Sequence, residues 1–185
     1  MNVALKPMTV DRYLAWLEEQ PRGRFELVDG QVIAMNAQRV EHILTKVSVI
    51  RALQDVLEGT EFHALGDGMA IRINDKTVYE PDALVYGGDA LKLGTVILDH
   101  PILLVEILSP GTKTVDTTKK LEGYFKLASV RHYLIVDPVV RSVVHHARDE
   151  AGKITTTLAS EGELPLNALG VALSVRQLFP RTKQA

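Results

Sequence analysis

Pro101-Ile102-Leu103-Leu104-Val105-Glu106-Ile107-Leu108 is the stretch on which the fold turns. Side chains alternate between the two faces of a strand, and here both alternating sets are apolar. Such a strand is covered on both sides and belongs at the centre of a sheet. Glu106 is the exception, on the same face as Leu104 and Leu108. A lone ionised carboxylate is costly in such a place, so Glu106 requires an ion-pair partner, a metal or an opening to solvent.

Downstream, Ser109-Pro110-Gly111 leads into a helix over Lys113–Ala128 with an apolar stripe of Leu121, Tyr124, Phe125 and Ala128. Strands follow at 132–137, 141–147 and 153–158. Strand, helix and strand in that order predict a parallel pair joined by a crossover helix. Upstream, strands are expected at 61–65, 69–74 and 78–86, and residues 87–100 read as a mobile, glycine-containing connection. Ile43, Val47, Ile50, Leu53 and Leu57 are spaced for a helix over 40–58, ended by Gly59. Before it, Phe25-Glu26-Leu27-Val28 and Gln31-Val32-Ile33 flank Asp29-Gly30, a pair suited to the positive φ of a hairpin turn. Thr9 caps an amphipathic helix bearing Tyr13, Leu14, Trp16 and Leu17, which ends near Pro21. From Val171 a short apolar segment gives way to a fraying tail.

The 185 residues, 46% of them apolar, suffice for one domain over 1–185. Its parts are a helix, hairpin and helix over 1–60, a core over 61–147, and strands and a tail over 148–185. The absence of cysteine excludes disulfides and thiolate metal sites and suits a reducing compartment. Met1 to Thr9 lacks the apolar core of a signal peptide, and no apolar run approaches the ~20 residues of a spanning helix. A cytoplasmic protein without a membrane partner is expected. The net charge of −2 is not that of a strongly basic nucleic-acid binder, so phosphate contacts would have to come from local clustering.

Asp82 follows Pro81 at the mouth of the strand Ala83-Leu84-Val85-Tyr86. Read alone it is a turn-forming residue; read with Glu106 on a neighbouring strand, it makes a pair of carboxylates able to share one hard cation. On the following helix, about 100° per residue turns Lys119 away from the apolar stripe. The same geometry leaves Lys120 on its border, where the ammonium can reach the strand ends. Asp116, Lys120 and Tyr124 form an i, i+4, i+8 line there, and the alternative is a surface ion pair. Lys46, Arg39 and Arg51, around the second helix, are candidates for phosphate contacts, with a solvated helix face as the favoured reading. His145 and His146 face opposite sides of a strand and cannot readily chelate one ion, while His63 and His100 have no spaced partner.

The segment Phe25 to Gly30, His42 early in a helix, Pro81-Asp82, Val105-Glu106-Ile107-Leu108-Ser109-Pro110, Asp116 with Lys120 and Tyr124, and His132 to Pro138 come in an order that resembles the Uma2 family. That likeness runs from about residue 9 to 147 and implies an α/β (α+β) fold: a restriction endonuclease-like PD-(D/E)XK core, its mixed central sheet flanked by helices, with an N-terminal helix–hairpin–helix extension. It implies Asp82 and Glu106 as metal ligands with the carbonyl of Ile107, Lys120 as the catalytic lysine, and Glu26, His42, Asp116 and Tyr124 in support. The usual superfamily lysine stands two residues after the second acid, where this chain has Leu108; the lysine is expected on the next helix instead.

The resulting expectation is a metal-dependent endonuclease that cleaves DNA with Mg2+, or Mn2+ in its place. The alternative is a catalytically inactive nucleic-acid-binding or regulatory domain that keeps the fold. The hairpin and the early helices offer a face for a homodimer.

Overall fold

The computed structural model describes residues 7–35, 37–66, 68–88, 91–109 and 115–181, the side chains of Val115 and Asp116 excepted. Thr9 accepts a hydrogen bond from the Arg12 amide and starts helix α1, Val10–Glu18. A hairpin of β1, Phe25–Val28, and β2, Gln31–Ala34, follows. Its turn has φ of 51° at Asp29 and 81° at Gly30, the left-handed pair that the Asp-Gly dipeptide accommodates. Helix α2 spans Val40–Leu57 and leads into β3, Phe62–Gly66.

The stretch expected as one strand over 78–86 is two. Strand β4, Ala70–Asn74, pairs with β5, Thr77–Tyr79, and the chain then breaks at Glu80-Pro81-Asp82 before β6, Ala83–Gly87. Pro81 has no N–H to give a ladder, and the break lets the chain leave one sheet for another. The connection after β6 contains a short strand, β7, Ile97–Leu98, parallel to β4.

Strand β8, Pro101–Ile107, is the central strand its apolar faces predict. Helix α3, Val115–Tyr124, crosses from it to β9, His132–Asp137, which lies parallel to β8. The helix stops at Tyr124, short of Ala128, which is exposed in the turns that follow; Lys113, the expected start, lies outside the described residues. Strands β10, Ser142–Arg148, and β11, Ile154–Ala159, complete a six-stranded sheet of order β11-β10-β9-β8-β6-β3. A second sheet, β2-β1-β5-β4-β7, takes up the hairpin.

Layers form on both faces of the six-stranded sheet. On one face, Leu103, Val105 and Ile107 of β8 pack with Val49, Leu53 and Leu57 of α2. On the other, Leu104 packs with Tyr124 and Tyr133 and with Ile71 and Tyr79 of the second sheet. The C-terminal segment is packed through Phe179, and the fraying expected after its apolar stretch falls at the end of the chain, where residues 182–185 lie outside the described residues. Strands β12, Glu163–Leu166, and β13, Val171–Ser174, pair with each other, and Leu164, Leu166, Leu173, Leu178 and Phe179 are buried beside α2. Five large apolar side chains lost from water make this segment a wall of the core.

Candidate active site

The site lies where β8, β6, β1, α2 and α3 meet. Ala83 of β6 pairs with Val105 of β8, and the Asp82 amide donates to the Val105 carbonyl at 2.9 Å. The antiparallel register therefore carries Asp82 level with Glu106. Both acids line a cavity of about 200 Å³, with Glu26, His42, Ile107 and Lys120 among its other walls.

Asp82 is 5% exposed and has named partners at both oxygens. The Ile107 amide donates to Oδ2 at 2.8 Å. At Oδ1, His42 Nε2 stands at 3.0 Å and Lys46 Nζ at 2.8 Å. Burial alone would raise the carboxyl's pKa, but the His42 hydrogen bond, the His42 and Lys46 charges and the Lys46 contact together outweigh it and hold Asp82 at about 2. An ionised carboxylate only accepts, so Nε2 is the protonated nitrogen of His42. Its Nδ1 is buried and has no hydrogen-bond partner among the described residues.

Glu106 is held from α3. Lys120 Nζ lies 3.0 Å from Glu106 Oε1 and 3.0 Å from Glu26 Oε1. The Tyr124 hydroxyl donates to the same Glu106 oxygen at 2.6 Å. Burial pushes Glu106 up to about 7; the Lys120 charge and the Tyr124 hydrogen bond pull it down, while the Asp82 and Glu26 charges add to the rise. Lys120 also stands 5.7 Å from the Tyr79 ring centre, a cation–π distance. Glu26 accepts the Glu80 amide at 2.9 Å, which ties the hairpin to the break before Asp82.

The expected residues Asp82, Glu106, Lys120, Glu26, His42 and Tyr124 thus share one site, and Ile107 lines it through a residue whose amide serves Asp82. Asp116 sits in the first turn of α3 with its side chain outside the described residues. Lys46 is a correction: it is no part of a solvated face but 6% exposed, bonded to Asp82 and to Gln38 Oε1 at 3.0 Å. The one sequence signal for it was its i, i+4 spacing from His42, which puts the two on one helix face. His63 and His100 are exposed. His132 and His145 are buried and face each other at 3.0 Å, away from the cavity walls.

Among the described residues no three acidic or histidine side chains form a ready-made metal cage. The Lys120 ammonium stands between Glu26 and Glu106, and that of Lys46 on Asp82. The donors still fit a hard cation, because Mg2+ is commonly held by one or two carboxylates and completes its shell with water and phosphate oxygens. The orphaned His42 Nδ1 is a further polar atom awaiting a partner at the same wall.

Residues 10–176 match the Uma2 family, described as "Putative restriction endonuclease". An uncharacterized protein of Synechocystis sp. PCC 6803 is 25% identical over 174 residues, 93% of this chain and 91% of the relative. A crystal structure from Anabaena variabilis ATCC 29413, described as a "putative nuclease belonging to DUF820", superposes with a TM-score of 0.74 at 20% identity. It covers 94% of this chain and 98% of that one. The two share the mixed α+β fold.

Proposed function

The chain belongs to the Uma2 family, and from that premise we propose that it is a nuclease hydrolysing phosphodiester bonds of DNA with Mg2+, or Mn2+ in its place. The observation that carries the reading is the meeting of Asp82 and Glu106, from adjacent strands, with the Lys120 ammonium at one cavity.

In this reading Asp82, Glu106 and the Ile107 carbonyl hold the cation. When bound, it supplies Lewis-acid polarisation of the phosphate and a water of lowered pKa. Lys120 orients the attacking water or stabilises charge developing on the phosphate, with its ammonium fixed in advance by Glu26 and Glu106. The Tyr124 hydroxyl fixes Glu106. His42 keeps Asp82 oriented through Nε2, and its buried Nδ1 remains available for a further hydrogen bond.

The test is cleavage of supercoiled plasmid with and without Mg2+ or Mn2+. Activity that requires the cation and vanishes in Asp82→Asn and Glu106→Gln supports the proposal; cleavage in excess chelator would end it.

A second reading, a binding domain without catalysis, draws on the near neutralisation of the acids by Lys46 and Lys120. Calorimetric titration with Mn2+ separates the two, since a binding-only domain has no carboxylate-dependent cation site.

A further inference from the structure

Asp82 offers a cation little that is not already taken. Oδ2 receives the Ile107 amide, a backbone group fixed in the sheet. Oδ1 receives His42, whose short side chain leaves the ring little room to move, and Lys46. Of these three donors only Lys46 has a long flexible stem and a compact, strongly hydrated charge. It also has a second anchor, Gln38 Oε1, on a residue that lines the cavity. A metal–oxygen bond of about 2.1 Å and an ammonium at hydrogen-bond distance cannot both use the same lone pair.

We propose that Lys46 is a resident competitor of the divalent cation: it neutralises Asp82 in the empty site and yields Oδ1 when the cation arrives, turning to Gln38. Lys46 thereby holds the cation affinity of the site down. This rests on the reading of Asp82 as a cation ligand.

The experiment is calorimetric titration of MnCl2 into the full-length wild type, Lys46→Met, Lys46→Gln and Asp82→Asn, each first shown to melt cooperatively. Lys46→Met and Lys46→Gln are expected to bind Mn2+ at least about tenfold more tightly, because a like charge beside the ligand is gone. Unchanged or weaker binding in both overturns the proposal. As a second measurement, the 1H–13C signal of the Lys46 ε-methylene, assigned by its loss in Lys46→Met, is expected to shift on adding Mg2+; a signal that stays still overturns the exchange. Binding heat that persists in Asp82→Asn would instead remove Asp82 as the ligand, a different failure.

The outer face of α2 carries an independent observation. Val40, Ile43, Leu44 and Val47 are 66%, 46%, 49% and 50% exposed, an i, i+3, i+4, i+7 stripe turned to solvent. Exposed Glu41 and Arg51 flank it on the same helix. In an antiparallel pairing with a second copy whose two-fold axis crosses at the level of Lys46, each Glu41 comes level with the other copy's Arg51. Leu44 then falls beside the other copy's Val47. We infer that this stripe is a self-complementary dimer face.

Sedimentation equilibrium at micromolar concentration is expected to show a dimer that Leu44→Asp dissociates. Glu41→Arg and Arg51→Glu should each weaken self-association several-fold, and the double exchange should restore it. A monomeric wild type, or a double exchange no tighter than the singles, overturns the inference.

Discussion

Lys120 and Glu106 are 14 residues apart in sequence and 3.0 Å apart in space. The crossover from β8 through α3 closes that gap, since a helix packed over the end of its own strand returns its inner face to the residues it left. A lysine on the strand, two residues after the acid, would reach the same point directly; here Leu108 stands there and the helix delivers the amine. Lys120→Met is expected to lower the initial rate of Mg2+-dependent plasmid cleavage by about 10²–10³, the typical loss for one transition-state donor. A Lys120→Met enzyme with full activity would take Lys120 out of the mechanism.

Tyr124 is fully buried and gives its hydroxyl to Glu106. Tyr124→Phe keeps the ring packing against Tyr79 and Tyr133 and removes one hydrogen bond to a carboxyl. A stability loss of roughly 1.5–3 kcal/mol in urea unfolding is expected. No measurable loss would mean that the bond has little weight in the folded protein.

Gly123 lets α3 approach the second sheet: a Cβ there would stand 2.7 Å from Cε2 of Tyr79. Gly123→Ala forces the ring or the helix to move, at a cost of about 1–3 kcal/mol. Because Lys120 rides on the same helix, cleavage should fall with stability. The measurement is thermal unfolding beside the cleavage rate, and unchanged values in both would refute the close approach.

His132 and His145 are buried as neutral rings, and burial, first, with the neighbouring histidine charge holds each at about 4 against 6.5. A depressed histidine pKa means that the unfolded chain binds more protons between those values, so stability falls as pH drops from 6.5 towards 4. Glu106, raised from 4.5 to about 7, acts in the opposite sense, gaining stability as pH falls across that window. His146, also lowered by burial, adds to the histidine side. With His132 and His145 against Glu106, the net loss is at least roughly 1.4 kcal/mol per pH unit between about pH 6.5 and 4.5. Urea unfolding at pH 5 and 6.5 checks this, and in His145→Gln the acid loss should shrink.

Leu173 and Leu178 are fully buried beside α2. Leu173→Ala or Leu178→Ala is expected to cost about 2–5 kcal/mol in chemical unfolding, as for other core leucines. A cost well under 1 kcal/mol would mean that the C-terminal segment adds little to the core.

Much of the candidate site was legible because its residues stand out against local pattern. Glu106 interrupts an apolar strand, Asp82 follows a proline, and Lys120 lies on a stripe's border; each mark is local but alone also fits a turn or an ion pair, and the ordered resemblance chose between the readings. Lys46 had no such mark. A lysine on a helix is read as solvated, and only an acid 36 positions away in sequence makes an inward direction favourable. The spacing that marked α2 as a helix did not fix its inner face: Ile43 and Val47 are exposed, while His42, Thr45 and Lys46 face inward.

The sequence by itself determined the central strand, the Asp-Gly hairpin and the parallel crossover, since periodicity and turn preference are local properties; it marked the acids and the lysine of the candidate site, which the ordered resemblance then singled out. Tertiary structure decided which face α2 turns inward, that Pro81 divides one apparent strand between two sheets, and that the C-terminal leucines complete the core. Those choices depend on what surface each segment meets, and burial free energy belongs to pairs of surfaces rather than to either one alone.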